Sequence, residues 1–593
     1  MTADLLNELN TQQQEAVSYI NGPSIILAGA GSGKTRVLVY KVLNLIQNHN
    51  VSPLEIVMIT FTNKAANEMK ERMGLKRLGY VGTFHSFCCR ILRRDGYHIG
   101  IDPVFTIYDD DDQLSVMKKI LKKPASPAGG IEAKRFTPAF FLNRISAAKN
   151  QYIEPERYLE LFSDYSSPLV AEVYTEYEKE LRKNNALDFD DLIMETVRLF
   201  LKHEDILDKY QNRYRYLLVD EFQDTNYIQY LLTKLLAEKY KNITGVGDFS
   251  QSIYSWRGAD MRNLEKFKED FPDVKSFHLE QNYRSTQTIL DFAYNVISKN
   301  QTHPVLNLFT KNGKGDEIEY YEAENEEEEA VFIANKIKEL NDRLALPSFA
   351  VLYRINAQSR AIEEAFLHYG LPYVLVGGTR FYERKEIKDV LSYLRIIANP
   401  QDEISQDRIK KLGKKRFEHF LNFIKKKKSL KDIETADLME KIFKETGYLE
   451  FYNPDDEEDF ARLENIKELK SVAMRFSKLS EFLEQVALVE SEYFEGEKRL
   501  KAKEGVKLMT LHQAKGLEFP VVFIAGVEEG ILPHSRSVDD LFSLEEERRL
   551  FYVGITRAKQ KLYITYANRR FIFGRGNYSV KSRFLEEENS TSL

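Results

Sequence analysis

Residues 28–35 read Ala28-Gly29-Ala30-Gly31-Ser32-Gly33-Lys34-Thr35, and this stretch decides how the chain folds. The apolar run Ile25-Ile26-Leu27 before it predicts a buried strand. Val37, Leu38, Tyr40, Val42 and Leu43 after it predict an amphipathic helix. Between the two, glycines let the backbone curl so that its N–H groups gather on a phosphate at the positive end of the new helix. Lys34 is expected to reach the β- and γ-oxygens, and the Thr35 hydroxyl to hold Mg²⁺. Ala28 stands where the generic pattern has glycine. The alternative, a glycine-rich turn without a ligand, is disfavoured by the strand–loop–helix context. Binding of a nucleoside triphosphate is the expectation.

A second apolar run, Tyr216-Leu217-Leu218-Val219, leads directly into Asp220-Glu221. In a parallel sheet built around a phosphate loop, an acid pair there is expected to serve the metal and the attacking water. Asp220 would hold Mg²⁺ through water and Glu221 would orient the nucleophile and accept its proton. On its own the pair also reads as a strand end closed by solvated acids. Positive charge for the γ-phosphate is expected from Arg284, in Gln281-Asn282-Tyr283-Arg284-Ser285, and from Arg557, in Val553-Gly554-Ile555-Thr556-Arg557-Ala558.

The bulk of the chain sets limits on the rest. Its 593 residues exceed one hydrophobic core, so several domains are expected. The 85 basic and 91 acidic residues leave a net charge of −6, so any nucleic-acid surface has to be a local patch. The only cysteines, Cys88 and Cys89, are adjacent and cannot staple distant segments, which fits a reducing cytoplasm. Neither a secretory signal nor an apolar run long enough to span a bilayer is visible, so no membrane association is expected.

Taken together, these segments resemble the superfamily 1A helicases of the UvrD/PcrA/Rep type, from near Leu9 to near Leu585. Leu9-Asn10 with Gln13 is similar to the Q motif. Thr60-Phe61-Thr62-Asn63-Lys64-Ala65-Ala66 is similar to motif Ia, and Gly82-Thr83-Phe84-His85-Ser86-Phe87 to motif Ib. Leu187-Asp188-Phe189-Asp190-Asp191-Leu192 matches a further family signature. Asp220-Glu221-Phe222-Gln223-Asp224-Thr225 corresponds to motif II. Gly247-Asp248 with Gln251-Ser252-Ile253-Tyr254-Ser255-Trp256-Arg257-Gly258-Ala259 corresponds to motif III. Tyr283 and Arg284 lie in motif IV, Thr510 to Phe519 form motif V, and Glu546 to Arg557 form motif VI.

The resemblance implies ATP and Mg²⁺ as cofactors and roles for particular residues. The loop Ala28, Gly29, Ala30, Gly31, Ser32, Gly33, Lys34 and Thr35 would bind the phosphates. Gln13 would select adenine, and Arg36 and Tyr283 would sandwich the base. Gln251 would sense the γ-phosphate, Arg284 and Arg557 would clamp it, and Glu518 would meet the ribose. DNA contacts would come from Phe61, Thr62, Asn63, Thr83, His85, Tyr254, Trp256, Arg257, His512 and Phe573. Trp256, the only tryptophan, sits in a polar, glycine-bounded segment that suits base stacking better than a core. His85 and His512 also admit a plainer reading as hydrogen-bonded structural histidines.

The implied fold class is α/β, with two RecA-like P-loop motor domains of parallel sheet, each carrying a mainly helical insertion. The expected boundaries are 1–108 and 188–279 for the first motor domain around an insertion at 109–187. For the second they are 280–377 and 505–593 around a shortened insertion at 378–504. Pro124 to Gly130 reads as a loop, and Glu326-Glu327-Glu328-Glu329 as the opening of a helix. Lys425 to Lys428 reads as a solvated helix end or as a duplex-phosphate contact. A glycine-containing hairpin that resembles a duplex-gripping element is abbreviated here to Arg408-Ile409-Lys410-Lys411-Leu412-Gly413-Lys414-Lys415. The longer tail of many relatives is absent after Leu585, so partners recruited through it are not expected.

The function so implied is ATP-driven 3′→5′ movement on single-stranded DNA with duplex unwinding, in repair or replication. Single strands and single/double-strand junctions are the expected partners, with repair or replication proteins alongside, for a cytoplasmic monomer or weak dimer. Two other functions compete. One is a translocase that strips proteins from single strands but unwinds weakly. The other is a regulatory DNA-binding subunit switched by ATP, against which the complete set of Glu221, Gln251, Arg284 and Arg557 speaks.

Overall fold

The computed structural model describes residues 4–74, 78–122, 136–426, 430, 433–454, 456–499, 504–572 and 575–586. Phe573, the Pro124 to Gly130 loop, Lys427 and Lys428, and the side chain of Arg257 lie outside the described residues. The chain forms two compact units, Met1–Tyr283 with His303–Phe309, and Arg284–Thr302 with Thr310–Leu593.

The first unit is built on a six-stranded parallel sheet. Its strands are β1 (Ser24–Ala28), β2 (Ile56–Thr60), β3 (Tyr80–Thr83), β4 (Tyr216–Val219), β5 (Ile243–Gly247) and β6 (Lys275–Leu279), in the spatial order β3-β2-β4-β5-β1-β6. Every residue of β1 and β2 is buried, as expected where helices cover both faces of a parallel sheet. Because all strands run the same way, the segments leaving them share one edge. The nucleotide loop after β1 and the acid pair after β4 are therefore separated only by the end of β5.

Residues 109–187 leave this sheet as an excursion of helices (Asp110–Leu121, Pro138–Asn150, Tyr158–Leu161, Ser167–Lys183) with a hydrophobic cluster of their own around Phe141, Ile145, Tyr174 and Tyr177. A short parallel pair, Thr106↔Ala186 and Ile107↔Leu187, joins entry to exit.

A second six-stranded parallel sheet organises the other unit. It comprises β7 (Glu319–Ala323), β8 (Phe349–Tyr353), β9 (Tyr373–Leu375), β10 (Val506–Thr510), β11 (Phe519–Ile524) and β12 (Ala558–Ala567), ordered β7-β12-β11-β8-β10-β9. The expected α/β class with two parallel sheets is thus present. Glu326 opens a helix, Glu326–Asn341, whose first turn holds four glutamates behind an Asn325 cap, where the helix dipole favours them. Between β9 and β10 the described residues are helical and enclose a separate core that includes Tyr393, Phe420, Ile442, Tyr448 and Leu469. The abbreviated segment Arg408–Lys415 is the end of one helix (Glu403–Lys411), a turn at Gly413, and the start of the next (Lys414–Lys426).

The two compact units divide at Tyr283–Arg284. Asn282 and Tyr283 are still bonded into the first unit, to Ala30 O (2.6 Å) and Gly31 O (2.9 Å).

The helix Thr11–Ser18, which carries Gln13, is held at both ends. Asn10 caps its start, and at its end the buried Lys41 donates from Nζ to Ala16 O (3.0 Å) and Tyr19 O. Burial pulls the Lys41 amine down from 10.5 to about 7. The unfolded chain therefore holds a proton that the folded chain lacks between these two values, so the cost of burying Lys41 falls, and stability rises, as pH rises through that window. Relative to Lys41→Met, the wild type is expected to gain up to about 1.4 kcal/mol of unfolding free energy per pH unit from pH 7 to pH 9. Denaturant titrations at both pH values check this; a difference that does not move with pH contradicts it.

Candidate active site

The loop after β1 is closed by Ser32, whose Oγ and backbone N both donate to Gly29 O (2.8 and 3.3 Å). Gly33, at φ 88°, forms the N-cap of helix Lys34–Gln47 in a left-handed conformation that a β-carbon disfavours. Glycine brings no capping side chain, so the first amides of this helix remain for an anion. Three carbonyls of the loop are tied from outside. Asn282 Nδ2 donates to Ala30 O (2.6 Å), Tyr283 N to Gly31 O (2.9 Å) and Gln13 Nε2 to Ser32 O (2.9 Å). A trans peptide carries C=O and N–H on opposite sides. Fixing the Ala30 and Ser32 carbonyls therefore turns the Gly31 and Gly33 amides the other way.

Gln13 is 1% exposed, and its Oε1 accepts from Asn10 N (3.2 Å). Here it acts as a strut under the phosphate loop. The half-exposed Tyr283 ring stands beside it, its hydroxyl accepting from Asn10 Nδ2 (2.7 Å). Arg36 lies over Tyr40 (5.3 Å to the ring centroid), pairs with Glu8 (3.5 Å) and donates to Glu8 O (2.7 Å).

At the end of β4, Asp220 is buried and its Oδ1 has no hydrogen-bond partner among the described residues. Burial, reinforced by Glu221, pushes its carboxyl up to about 7 against the pull of Lys34. An orphaned, dehydrated carboxylate oxygen beside a phosphate loop fits a hard divalent cation, and the Thr35 hydroxyl supplies the same donor chemistry. Glu221 holds a left-handed backbone (φ 49°, ψ 43°), uncommon for a residue with a β-carbon. Its carboxylate accepts from Gln223 Nε2 at 2.6 Å.

Two residues in this network had no assigned role in the sequence reading. Asp248, leaving β5 between the nucleotide loop and the acid pair, accepts from Gln251 Nε2 at 2.6 Å. Burial raises its carboxyl, while Lys34 and the Gln251 hydrogen bond oppose the rise. Gln223 joins the halves, its Oε1 accepting from Asp248 N (3.1 Å) while its Nε2 serves Glu221. The signal available in the sequence was positional: Asp248 follows a buried strand as Asp220 does. A continuous chain Glu221–Gln223–Asp248–Gln251 results.

The other half of the same sheet edge carries the residues expected to meet DNA. Thr62 and Thr83, after β2 and β3, cap the helices Asn63–Met73 and Phe84–Asp95 by accepting from Ala65 N (3.1 Å) and Ser86 N (3.3 Å). Their hydroxyls are thus engaged in capping, and each stands at a helix N-terminus, where phosphate is favoured. Thr62 and Asn63 are exposed. Phe61 packs edge-on against Phe84 (6.0 Å) and His85 edge-on against Phe189 (5.8 Å); burial lowers the His85 imidazole pKa and favours its neutral form. Trp256, beyond β5, is 51% exposed and edge-on to Tyr254 at 6.4 Å. The exposure matches a stacking platform rather than a core residue.

In the second unit, Arg284, Glu518 and Arg557 come together. Arg284 donates from Nε to Glu518 Oε2 (2.7 Å) and from Nη1 to Thr556 O (3.0 Å). Arg557 is 1% exposed and donates to Val553 O (2.9 Å), Leu517 O (3.1 Å) and Thr556 Oγ1 (3.0 Å). Burial would lift the Glu518 carboxyl, but hydrogen bonds and charge from Lys559 and Arg284 hold it below the ordinary range. The half-buried His512 follows β10.

The chain matches the family model of the UvrD/REP helicase N-terminal domain over residues 9–272. It matches that of the UvrD-like helicase C-terminal domain over residues 277–452 and 414–569. It is 44% identical to the ATP-dependent DNA helicase PcrA of Bacillus subtilis over 640 aligned positions, covering 98% of this chain and 86% of that protein. The PcrA helicases of Staphylococcus aureus and Staphylococcus epidermidis are 44% and 42% identical, with the same shares covered. The aligned span exceeds the 593 residues of the chain, so these relatives carry inserted residues that it lacks. With a glycine-rich loop, an acid pair and two hydrogen-bonded glutamines on one edge of a parallel sheet, and with both domain models matched in order, the chain belongs to the UvrD/REP helicase family.

Proposed function

We propose that this chain is an ATP-driven DNA helicase that moves 3′→5′ along single-stranded DNA. The observation that carries the reading is the shared carboxyl edge of the first sheet. Lys34, Asp220, Glu221, Asp248 and Gln251 occupy one part of it. Thr62, Thr83, His85 and Trp256 occupy the ends of β2, β3 and the segment after β5.

ATP binds with its phosphates on the amides of the loop and on Lys34, and its adenine near Gln13 and Tyr283. Asp220 and Thr35 would hold Mg²⁺, which when bound neutralises phosphate charge. Glu221 takes the proton of the attacking water. Its carboxylate is already aimed by Gln223, so little reorganisation is needed. Arg284 and Arg557 stabilise the charge that develops on the transferred phosphoryl group. The state of the γ-phosphate reaches Trp256 through Gln251, which lies five residues before it in the chain. Stacking on an exposed ring contributes about 1–3 kcal/mol per base without demanding a sequence, which suits a motor.

Duplexes with a 3′ or a 5′ single-stranded tail test the reading. Unwinding of the 3′-tailed substrate, dependent on ATP, is expected; preference for the 5′ tail overturns the direction, and no ATP-dependent unwinding or translocation overturns the function. The two-helix turn at Arg408–Lys415, in place of a gripping hairpin, favours a second reading in which duplex is held weakly. Efficient displacement of streptavidin from a single strand beside slow unwinding of the 3′-tailed duplex would select it.

A further inference from the structure

The signature Leu187–Leu192 has no part in the mechanism above, and the structure shows what it holds. Asp188 and Asp191 form a reciprocal capping box at the start of helix Phe189–Lys202. Both also bind one fully buried cation: Lys149 Nζ lies 2.7 Å from Asp188 Oδ2, from Asp191 Oδ1 and from Glu178 Oε1. A buried ammonium is stable only when so paired, and removing a partner from such a cluster is strongly destabilising. Lys149 is the penultimate residue of helix Pro138–Asn150, so the cluster fixes the end of that helix against the sheet domain.

The next residue makes use of this anchorage. Asn150 Oδ1 accepts from Asn226 Nδ2 at 2.6 Å. Asn226 directly follows the motif that begins with Asp220-Glu221 and caps the helix Tyr227–Ala237 by accepting from Gln229 N (3.0 Å). Its neighbour Thr225 offers its carbonyl to Asp260 N (3.0 Å) and Asn263 Nδ2 (2.9 Å), just beyond the Trp256 turn. That turn ends at Gly258 (φ 85°), where a β-carbon would sit 3.7 Å from Asn226 Cβ and 3.8 Å from Asn150 Cβ. The segment leaving the acid pair, the Trp256 turn and the end of the insertion helix therefore meet at the Asn150–Asn226 bond.

We infer that Asn150 is a positioning residue, which sets the Trp256 turn against the Asp220–Asn226 loop and so couples nucleotide occupancy to the grip on single-stranded DNA. The inference rests on the helicase reading. Lys149 and its carboxylates are the foundation, and Asn150 is the contact that transmits.

Trp256 is the only tryptophan in the chain, so its emission reports this turn directly. The experiment uses the full chain as wild type, Asn150→Ala, Asn226→Ser and the double variant; serine keeps the helix cap. Circular dichroism melts establish that each is folded. In the wild type, Mg²⁺ with adenylyl imidodiphosphate is expected to change Trp256 emission. In Asn150→Ala that response falls at least threefold, while affinity for the analogue and DNA-free ATP hydrolysis stay within twofold of wild type. The oligo(dT) concentration for half-maximal stimulation of hydrolysis rises about three- to tenfold, the scale of one hydrogen bond. Asn226→Ser shifts both readouts in the same direction, and the double variant is no worse than Asn150→Ala, because the bond lost at Asn226 is already gone there, while Asn150 also gives up its contact with Ser146 Oγ (3.3 Å).

An unchanged emission response and an unchanged half-stimulating concentration in Asn150→Ala overturn the proposal, as does strict additivity in the double variant. A wild-type protein that binds the analogue without any change in emission also overturns it. A wild-type protein that fails to bind the analogue overturns the helicase reading itself, and the proposal falls with it. Loss of folding in Asn150→Ala passes the decision to Asn226→Ser, which removes the same bond.

Discussion

Glu221→Gln is expected to cut DNA-stimulated ATP hydrolysis by roughly 10²–10⁴-fold, the contribution of a well-placed general base, while nucleotide binding survives. The substitution is close to isosteric, so the left-handed backbone at this position (φ 49°) meets no new steric demand. What it removes is the charged acceptor. In the wild type the carboxylate accepts from Gln223 Nε2 at 2.6 Å, which aims it. A neutral amide at 221 takes up no proton. Single-turnover hydrolysis with saturating oligo(dT) measures the loss, and a fluorescent ATP analogue measures binding. Hydrolysis within tenfold of wild type would remove Glu221 from the role of base.

Arg557→Ala is expected to lower the same hydrolysis by about 10³-fold or more, the usual cost of losing an arginine that meets the transferring phosphoryl group. The side chain is 1% exposed and arranged by Val553 O, Leu517 O and Thr556 Oγ1. Three acceptors on one guanidinium fix its plane, so Arg557→Lys keeps the charge but not the fork and is expected to recover little. Because the deletion also removes these hydrogen bonds from a side chain packed at 1% exposure, a fall in melting temperature accompanies the loss. Arg284→Ala supplies the separation. Its side chain is more exposed, at 14%, so its kinetic defect should come with a smaller change in melting temperature. Turnover by folded Arg557→Ala within tenfold of wild type contradicts the assignment.

Much of the fold was legible from short segments. Ile25–Leu27 and Tyr216–Val219 are strands because apolar runs of that length, bounded by loops or polar residues, are buried in a parallel sheet. Glu326 opens a helix because four acids suit its dipole. Around other expected site residues the structure adds contacts that no local pattern announces. Gln13, expected to select adenine, is buried beneath the loop, with its amide nitrogen on Ser32 O and its amide oxygen on Asn10 N. Thr62 and Thr83, expected to contact DNA, have hydroxyls that cap the helices behind them.

By itself the sequence determined the phosphate loop, the acid pair and the parallel strands that carry them. These depend on residues adjacent in the chain, where a glycine, a lysine or an apolar run has the same meaning wherever it is found. Only the tertiary structure decided how the pieces are wired. Gln223 reaches Asp248 across 25 residues, Lys149 reaches Asp188 across 39, and Asn226 reaches Asn150 across 76. No local pattern announces such contacts, since each is one polar side chain meeting another that the folding of the sheet has brought alongside.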